Sequence, residues 1–175
     1  MTDGADRRED GMAGEHTAEP ETLPPVLLDV MCGTLATYLR FCGYDAAYAL
    51  DRGVESDDRL LALAAEEGRL LVTRDRELAA RVDAREDTER VLLTERDVLD
   101  QLRELRAAGL PVELADQPRR CGQCNGPVER DDTPIAERPD YVPEDAHPVW
   151  QCRNCGQRFW KGSHWVRVAE RLDGV

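Results

Sequence analysis

The sequence predicts an α/β protein in which a parallel sheet is followed by a C-terminal four-cysteine zinc ribbon. Two observations support this prediction. Short apolar runs alternate with helical repeats between residues 26 and 109. Two Cys-x-x-Cys pairs, Cys121/Cys124 and Cys152/Cys155, come after them. In 175 residues there is no apolar run near the roughly 18 residues that span a bilayer, so we expect a soluble protein without a membrane partner.

Composition divides the chain into three parts. Residues 1–24 are rich in Gly, Asp, Glu and Thr without periodicity, which predicts a disordered acidic leader. Residues 25–117 are expected to form the sheet domain and residues 118–175 the zinc-ribbon domain, with a linker at 111–118. Because the first 20 residues are polar and charged, they do not read as a signal peptide, and we expect a cytoplasmic location.

Four short apolar runs are the predicted strands. Each is bounded by proline, glycine or charged residues, as buried strands are. Because a helical segment separates each run from the next, the strands are expected to form one parallel sheet with helices on both faces. The predicted strands span residues 26–30, 46–50, 70–73 and 91–93.

Each predicted strand is followed by a predicted helix. Gly43 and Gly68 end the first two helices, because a left-handed residue commonly closes a helix. Either Ser56 or Asp57 caps the second helix, and Asp97 caps the fourth. The predicted helices span residues 34–41, 56 or 57 to 67, 76–82 and 97–108.

The large negative net charge excludes few classes of function. The formal net charge is -13, and Lys161 is the only lysine among 23 basic residues, which is typical of a halophilic, GC-rich organism. In salt near 1 M the screening length is about 3 Å, so the charge alone says little about partners. Residues 118–175 carry nine acids, nine basic residues and all three tryptophans, and are the expected contact for nucleic acid.

The two cysteine pairs predict a structural zinc site. Two thiolates two residues apart can reach one ion from a single turn, and a second turn completes a tetrahedral shell of Cys121, Cys124, Cys152 and Cys155. The 27 residues between the pairs predict a hairpin with an inserted loop. The alternative is two disulfides in a secreted domain, which the missing signal peptide disfavours.

Four aspartates lie at the end of a predicted strand, follow one, or start the next helix. Asp29, Asp57, Asp75 and Asp97 therefore belong to the carboxyl edge of the sheet, where such folds place their working groups. Acids that converge there can share Mg²⁺ or Mn²⁺ and leave sites for a phosphate oxygen and a water. The alternative is that they are helix caps and surface charge.

The sequence resembles the Mut7-C ribonuclease domain family over about residues 25–168. The matching segments are Val-Leu-Leu-Asp at 26–29, Gly-Thr-Leu-Ala at 33–36, Leu-Arg at 39–40, Gly-Tyr-Asp at 43–45, Arg-Leu-Leu-Val-Thr-Arg-Asp at 69–75 and Phe-Trp-Lys-Gly-Ser-His-Trp at 159–165. The resemblance implies a PIN-like (Rossmann-type) sheet fused to a zinc ribbon, and a metal-dependent ribonuclease. It carries the Mg/Mn-binding acids over to Asp29, Asp57 and Asp75, with Asp58 as the alternative to Asp57 and Asp97 as a further acid.

The leading hypothesis is a hydrolase of single-stranded RNA with two metal requirements. Mg or Mn ions at the acids would activate water, while structural zinc maintains a ribbon that aids RNA binding. Zinc loss is then expected to cost folding and RNA binding and to leave the acidic site largely intact. The competing hypothesis is a non-catalytic RNA- or ribosome-associated zinc-ribbon adaptor.

Other side chains have two interpretations each. Arg40 and Arg74 could bind phosphate or form salt bridges. Trp160 and Trp165 could stack on bases or fill the ribbon core. The two cysteines outside the ribbon, Cys32 and Cys42, are expected to be buried free thiols rather than nucleophiles.

Overall fold

The computed structural model describes residues 23–175, and the predicted leader lies outside them apart from its last two residues. A four-stranded parallel sheet has the strand order β2-β1-β3-β4. This confirms the predicted α/β class with its parallel sheet. The strands are β1 Val26–Leu28, β2 Ala46–Tyr48, β3 Leu70–Thr73 and β4 Arg90–Leu92; the helices between and after them are α1 Gly33–Phe41, α2 Asp57–Glu67, α3 Arg76–Asp83 and α4 Val98–Ala107.

Two predicted strands are shorter than expected because turns interrupt them. The chain turns directly after β1, where the N–H of Cys32 donates to the carbonyl of Asp29 over 3.0 Å, so Val30 is outside the strand and 40% exposed. The second strand ends at Tyr48 and passes into a 3-10 turn at Leu50–Arg52.

Helices cover both faces of the sheet and create two cores. Alternate residues of β1 point to opposite faces, so Leu27 packs with α2 and α3, whereas Val26 and Leu28 pack with α1 and α4. Each fully buried leucine contributes about 1.5–3 kcal/mol by leaving water. Gly68, with φ of 59°, ends α2 in the left-handed conformation that glycine adopts without strain.

The cysteine-rich segment forms a second, antiparallel sheet of three strands in the order β5-β6-β7. Its strands are β5 Val128–Arg130, β6 Val149–Cys152 and β7 Arg158–Trp160. Val142 and Ala146, which lie in the segment inserted between β5 and β6, form a small core with Val149 of β6, and Trp160 packs against it. Within residues 23–175, no helix is long and apolar enough to cross a membrane.

A fifth helix, α5 Ser163–Leu172, was not predicted from the sequence. Val168 and Leu172 belong to the same core as β1 and α1, so the C-terminal segment returns to the parallel-sheet part of the molecule. Arg171 supports this contact, because its guanidinium donates to the Tyr38 hydroxyl over 2.8 Å. The division of the chain at residue 117 stays a prediction, and the last helix packs across it.

Candidate active site and metal centre

The four cysteines bring their sulfur atoms together, and no disulfide joins them. The Sγ atoms of Cys121 and Cys155 lie 3.7 Å apart. Those of Cys124 and Cys152 lie 3.6 Å apart, and all four fall within 4.8 Å of one another. Tetrahedral zinc with Zn–S bonds of about 2.3 Å separates its sulfur ligands by about 3.8 Å. The donor set and spacing therefore fit a structural zinc ion.

The two cysteine turns, the first knuckle (residues 121–125) and the second knuckle (residues 152–156), have the same backbone hydrogen bonding. The N–H of Asn125 donates to the Cys121 carbonyl over 2.9 Å, and the N–H of Gly156 donates to the Cys152 carbonyl over 3.0 Å. Both closing residues are left-handed, with φ of 61° and 75°. Burial acts to raise the pKa of Cys152, but knuckle N–H groups and neighbouring thiols outweigh it and lower the pKa to about 7. The second turn thus favours a thiolate at Cys152, whereas burial raises the pKa of Cys121 to about 12 and also raises the pKa of Cys124.

The first knuckle is fixed to the edge strand β2. The Asn125 side-chain oxygen accepts a hydrogen bond from the Ala46 N–H over 3.0 Å, and Arg40 Nε donates to the Ala46 carbonyl over 2.9 Å. The same guanidinium donates to the carbonyls of Gly122 and Gln123, each over 3.1 Å. Two side chains therefore satisfy the N–H and the carbonyl of Ala46 on the outer edge of β2, which would otherwise stay unpaired.

Arg40 has a structural role at the junction between β2 and the first knuckle. It is 3% exposed, and its remaining nitrogen pairs with Asp51 over 3.0 Å. Of the two interpretations of this residue, the salt bridge is confirmed. All its donors that face the knuckle and β2 are engaged, so it joins the two parts of the molecule.

Asp45 adds a charged network to the same junction. Its carboxylate pairs with Arg69 over 3.0 Å and with Arg120 over 3.4 Å, and accepts from the Asn125 amide over 2.6 Å. Burial opposes ionisation, but the hydrogen bonds from Arg69 and Asn125 and the nearby positive charges hold the pKa of Asp45 below its usual value.

Asp29 lies in a buried niche at the carboxyl end of β1, with 3% of its surface exposed. One carboxylate oxygen accepts from the Met31 N–H over 2.6 Å, and the other accepts from the Thr73 hydroxyl. A buried carboxylate needs such donors, because burial without them costs several kcal/mol. The helix that follows, α1, starts without a side-chain cap, so its free N–H groups add positive potential near this edge.

Asp75 and Asp97 cap the helices that follow β3 and β4. Asp75 Oδ1 accepts from the N–H of Glu77 over 2.7 Å, and Asp97 Oδ1 accepts from the N–H of Leu99 over 2.9 Å. Among residues 23–175, no side chain or backbone N–H donates to the Oδ2 atom of either aspartate. The cap role therefore leaves one oxygen of each carboxylate available.

Asp57 has a different environment. Ser56 is the cap of α2, which decides between the two predicted cap residues, and Asp57 is the first helical residue. Its carboxylate pairs with Arg81 of α3 over 3.2 Å, and Asp58 pairs with the same guanidinium. Asp57 and Asp58, the two candidates for the second acid, therefore belong to one surface ion-pair network with Arg81.

Arg74 lies beside the Asp29 niche. Its Nε is buried and has no hydrogen-bond partner among the described residues. Burial and the negative charge of Asp29 raise the pKa of Cys32 to about 12, while the positive charge of Arg74 opposes them. Cys32 is therefore a protonated, buried thiol and not an activated nucleophile.

The Thr73 hydroxyl joins Asp29 to Asp75. It donates to the Asp29 carboxylate and accepts from the N–H of Asp75 over 2.9 Å. Sequence reasoning missed this threonine, although a polar residue at the end of an apolar strand is a signal for it. Among residues 23–175, the cysteine set is the only group of three or more His, Cys, Asp or Glu with ligand atoms within 4.8 Å, so the aspartates form no such compact group.

Comparison with known proteins assigns a family to this arrangement. The family model described as Mut7-C RNAse domain matches residues 24–172. The chain belongs to the Mut7-C RNAse domain family. This confirms the resemblance seen in the sequence and supports a ribonuclease with RNA as its substrate. No curated protein and no solved structure matches the chain.

Two clefts lie where the ribbon of this Mut7-C RNAse domain meets the parallel-sheet part. One, of about 560 Å³, lies between β2 and the first knuckle. The other, of about 630 Å³, lies between α1, the first knuckle and β7, with Phe41, Phe159 and His164 in its wall. Tyr48 lines both, and its hydroxyl donates to the Val30 carbonyl over 2.8 Å, one residue beyond Asp29.

Proposed function

We propose that this protein is a metal-dependent ribonuclease of PIN-like fold that hydrolyses RNA phosphodiester bonds at the carboxyl edge of its parallel sheet. The observation that supports this most directly is the link from Asp29 through Thr73 to Asp75 beside a buried, unpartnered Arg74 nitrogen. Membership of the Mut7-C RNAse domain family supports the same reaction.

Asp29 and Asp75 are the proposed centre of a Mg²⁺ or Mn²⁺ site, with Asp57 and Asp97 as further predicted acids. Each oxygen of Asp29 has one hydrogen bond and one lone-pair direction left, and Asp75 has a free Oδ2. One or two carboxylates with waters are enough for Mg²⁺, so a compact group of three acids is not required. An ion bound there would supply a metal-activated water and neutralise phosphate charge.

Arg74 is the proposed phosphate-binding side chain. Its nitrogen has no protein acceptor, and a guanidinium binds phosphate oxygens in a forked geometry. The helices α3 and α4 begin at the same edge, and their N-termini add a favourable potential for an anion. These groups would stabilise charge on the scissile phosphate, while Thr73 keeps the Asp29 carboxylate oriented.

A non-catalytic RNA-associated adaptor is the second candidate. The observation that favours it is that Asp75 and Asp97 cap helices while Asp57 pairs with Arg81, so each of these acids has a structural role of its own. In that case zinc would maintain an RNA-binding ribbon, and the sheet would only support it.

Cleavage of a panel of labelled RNAs separates the two candidates. Wild type and Asp29→Asn would be compared with Mg²⁺, with Mn²⁺ and without a divalent ion; omission is preferable to a chelator, which would also strip zinc. The matched control is Asp116→Asn, because Asp116 is exposed and has no partner among the described residues. We expect Asp29→Asn to lose at least about a hundredfold in rate.

The outcomes are distinct. Ion-dependent cleavage by wild type and Asp116→Asn, but not by folded, zinc-loaded Asp29→Asn, supports the ribonuclease. RNA binding without cleavage by any variant supports the adaptor. Cleavage by Asp29→Asn at the wild-type rate overturns the proposed site.

The acid-rich composition supports a further proposal, that the protein works in the cytoplasm of a salt-adapted cell. Its net charge of -13 is self-repelling at low ionic strength and is screened at about 1 M salt. Cleavage and stability should both rise with KCl toward that concentration. A steady fall of both would contradict this proposal.

A further inference from the structure

Two clefts on the surface between α1 and α5 share part of their walls. The cleft of about 630 Å³ beside the first knuckle adjoins a second of about 250 Å³. Both are lined by Thr37 and Phe41 of α1 and by His164 of α5. We call the two together the α1–α5 groove. It depends on the helix that the sequence interpretation missed, although Trp165, Val168 and Leu172 recur there at helical spacing.

Aromatic side chains form part of its wall. His164 is exposed, and its ring meets the Phe41 ring edge-on, with centroids 5.6 Å apart. His164 makes no hydrogen bond to any residue of the described part of the chain. Phe159 of β7 is half-buried in the same wall. Flat, partly exposed rings in a narrow cleft suit the stacking of unpaired bases.

Two cations of α5 along the groove have no ion-pair partner in the described chain. Four basic residues and one acid lie between residues 157 and 171 of a chain whose net charge is -13, and one of the four, Arg158, pairs with Asp131 over 2.7 Å. Arg167 lines the groove and has no ion pair with any residue in 23–175, and Arg171 contacts only the neutral Tyr38 hydroxyl. Some surface arginines elsewhere are paired, such as Arg59 with Glu66, whereas the exposed Arg76, Arg96 and Arg119 have no ion pair among the described residues.

The basic residues and the histidine share one line on the helix. His164, Arg167 and Arg171 are three and four residues apart, a spacing that places side chains on the same helical face. This face borders the groove along the 250 Å³ cleft. A run of cations at helical spacing is complementary to the repeated charges of a phosphate backbone.

The other end of the groove approaches the proposed active site. Tyr48 and Gly33 line the 630 Å³ cleft, and a Cβ added at Gly33 would lie 2.9 Å from the Tyr48 ring. The Tyr48 hydroxyl donates to the Val30 carbonyl, next to Asp29. A strand leaving the groove past Tyr48 would therefore reach the carboxyl edge of β1.

We propose that the α1–α5 groove binds single-stranded RNA, with Phe159 and His164 stacking on bases and Arg167 and Arg171 contacting phosphates, and leads the strand past Tyr48 toward Asp29. This assignment rests on the proposed ribonuclease function. Unpaired bases are required because a paired helix hides the faces on which the rings would stack. It places the stacking and phosphate contacts on α5 and β7, beside the first knuckle, whose Gly122 and Gln123 line the same cleft.

The test measures binding without cleavage. Zinc-loaded protein is titrated, without divalent ions, into a labelled single-stranded RNA of about 12 nucleotides, a duplex of the same sequence and a single-stranded DNA, and fluorescence anisotropy is followed. The variants are Arg167→Glu, His164→Ala and Phe159→Leu, the last chosen to keep apolar volume in the ribbon. Arg59→Glu is the control, because it changes charge equally on α2, which covers the opposite face of the sheet.

Two signatures are expected. Arg167→Glu should bind single-stranded RNA about tenfold more weakly, with a salt slope reduced by about one, because one phosphate contact is lost. His164→Ala and Phe159→Leu should bind about five- to tenfold more weakly with an unchanged salt slope, because stacking is largely insensitive to salt. Arg59→Glu should bind within about twofold of wild type, and the duplex more weakly than the single strand.

The measurements distinguish an incorrect groove assignment from an incorrect proposal of ribonuclease function. If the groove variants and Arg59→Glu bind alike, or the duplex binds as tightly as the single strand, the groove assignment is wrong even when wild type cleaves RNA. If the groove variants lose binding and Asp29→Asn binds normally, the groove assignment holds, whether or not wild type cleaves. Tight, equal binding of DNA would assign the groove to single strands in general and overturn the restriction to RNA.

Discussion

The side-chain oxygen of Asn125 accepts a hydrogen bond from the N–H of Ala46 over 3.0 Å, and so joins the first knuckle to the edge of the parallel sheet. Asn125 directly follows a predicted zinc ligand, while Ala46 begins the strand beside β1. The metal centre therefore supports the sheet that holds the proposed active site. The sequence alone predicted that zinc loss would leave that site largely intact. The hydrogen bond between Asn125 and Ala46 predicts instead that zinc loss also destabilises β2.

Asn125→Gly should destabilise the zinc-loaded protein by about 1–3 kcal/mol, because the Ala46 N–H would stay buried without an acceptor. Glycine at this position keeps the left-handed backbone, with φ of 61°, and copies Gly156 of the second knuckle. Urea unfolding measures the change. Asn154→Gly is the control for chain entropy and should cost at most about 1 kcal/mol. Equal losses in both variants would show that the contact with Ala46 contributes nothing.

Gly126→Ala should weaken zinc binding, whereas Gly122→Ala should not. A Cβ at Gly126 would lie 2.8 Å from the Sγ of Cys152, a contact too short to form without displacing the ligand. A Cβ at Gly122 meets its nearest atom, in Phe41, at an ordinary 3.7 Å. Competition with a zinc-binding dye should show at least about a tenfold loss of affinity for Gly126→Ala alone, as for other disturbances of ligand position. The prediction is wrong if both variants retain zinc equally.

Thr73→Val should lower both stability and cleavage. The substitution preserves shape but removes the hydroxyl that donates to Asp29 and accepts from the Asp75 N–H. Two buried groups lose a partner, so we expect a loss of about 1–3 kcal/mol in urea unfolding and at least about a tenfold lower cleavage rate. Thr73→Ser retains the hydroxyl and should keep most of the activity. Full activity in the valine variant would remove Thr73 from the site.

Asp45→Asn should destabilise the protein at neutral pH by about 1–3 kcal/mol, because the charged hydrogen bonds to Arg69 are lost. The pKa of Asp45 lies below its usual value, so the wild-type carboxylate contributes fully above the unfolded pKa of about 3.9. The contribution disappears as the pH falls through the lowered pKa of the folded state.

The difference in unfolding free energy between wild type and Asp45→Asn should therefore be constant from about pH 7 to 5 and shrink below about pH 4. Urea unfolding across this range measures it. Asp116→Asn, an exposed aspartate without a partner in the described chain, should differ little from wild type throughout. A gap that widens on acidification would contradict the assigned direction of the shift.

Local sequence patterns predicted much of the fold. Apolar runs such as Leu70–Thr73 became parallel strands, and Gly68 ends α2 as its position predicted. These features depend on residues close together in the chain, where spacing and backbone preference act directly. Helix α5 was missed although Trp165, Val168 and Leu172 recur at helical spacing; what the sequence could not show is that Val168 and Leu172 pack against a sheet more than a hundred residues earlier.

The sequence by itself determined the α/β order, the four cysteines that could hold zinc and the family, since all of these are recorded in residue type and spacing. Tertiary structure alone decided which groups meet: Thr73 between Asp29 and Asp75, Arg40 and Asn125 on the edge strand, and α5 along α1. The physical reason is the separation along the chain of the residues that interact. Spacing fixes which side chains share a turn or a strand end, whereas hydrogen bonds and packing between distant segments form only when the whole chain has folded.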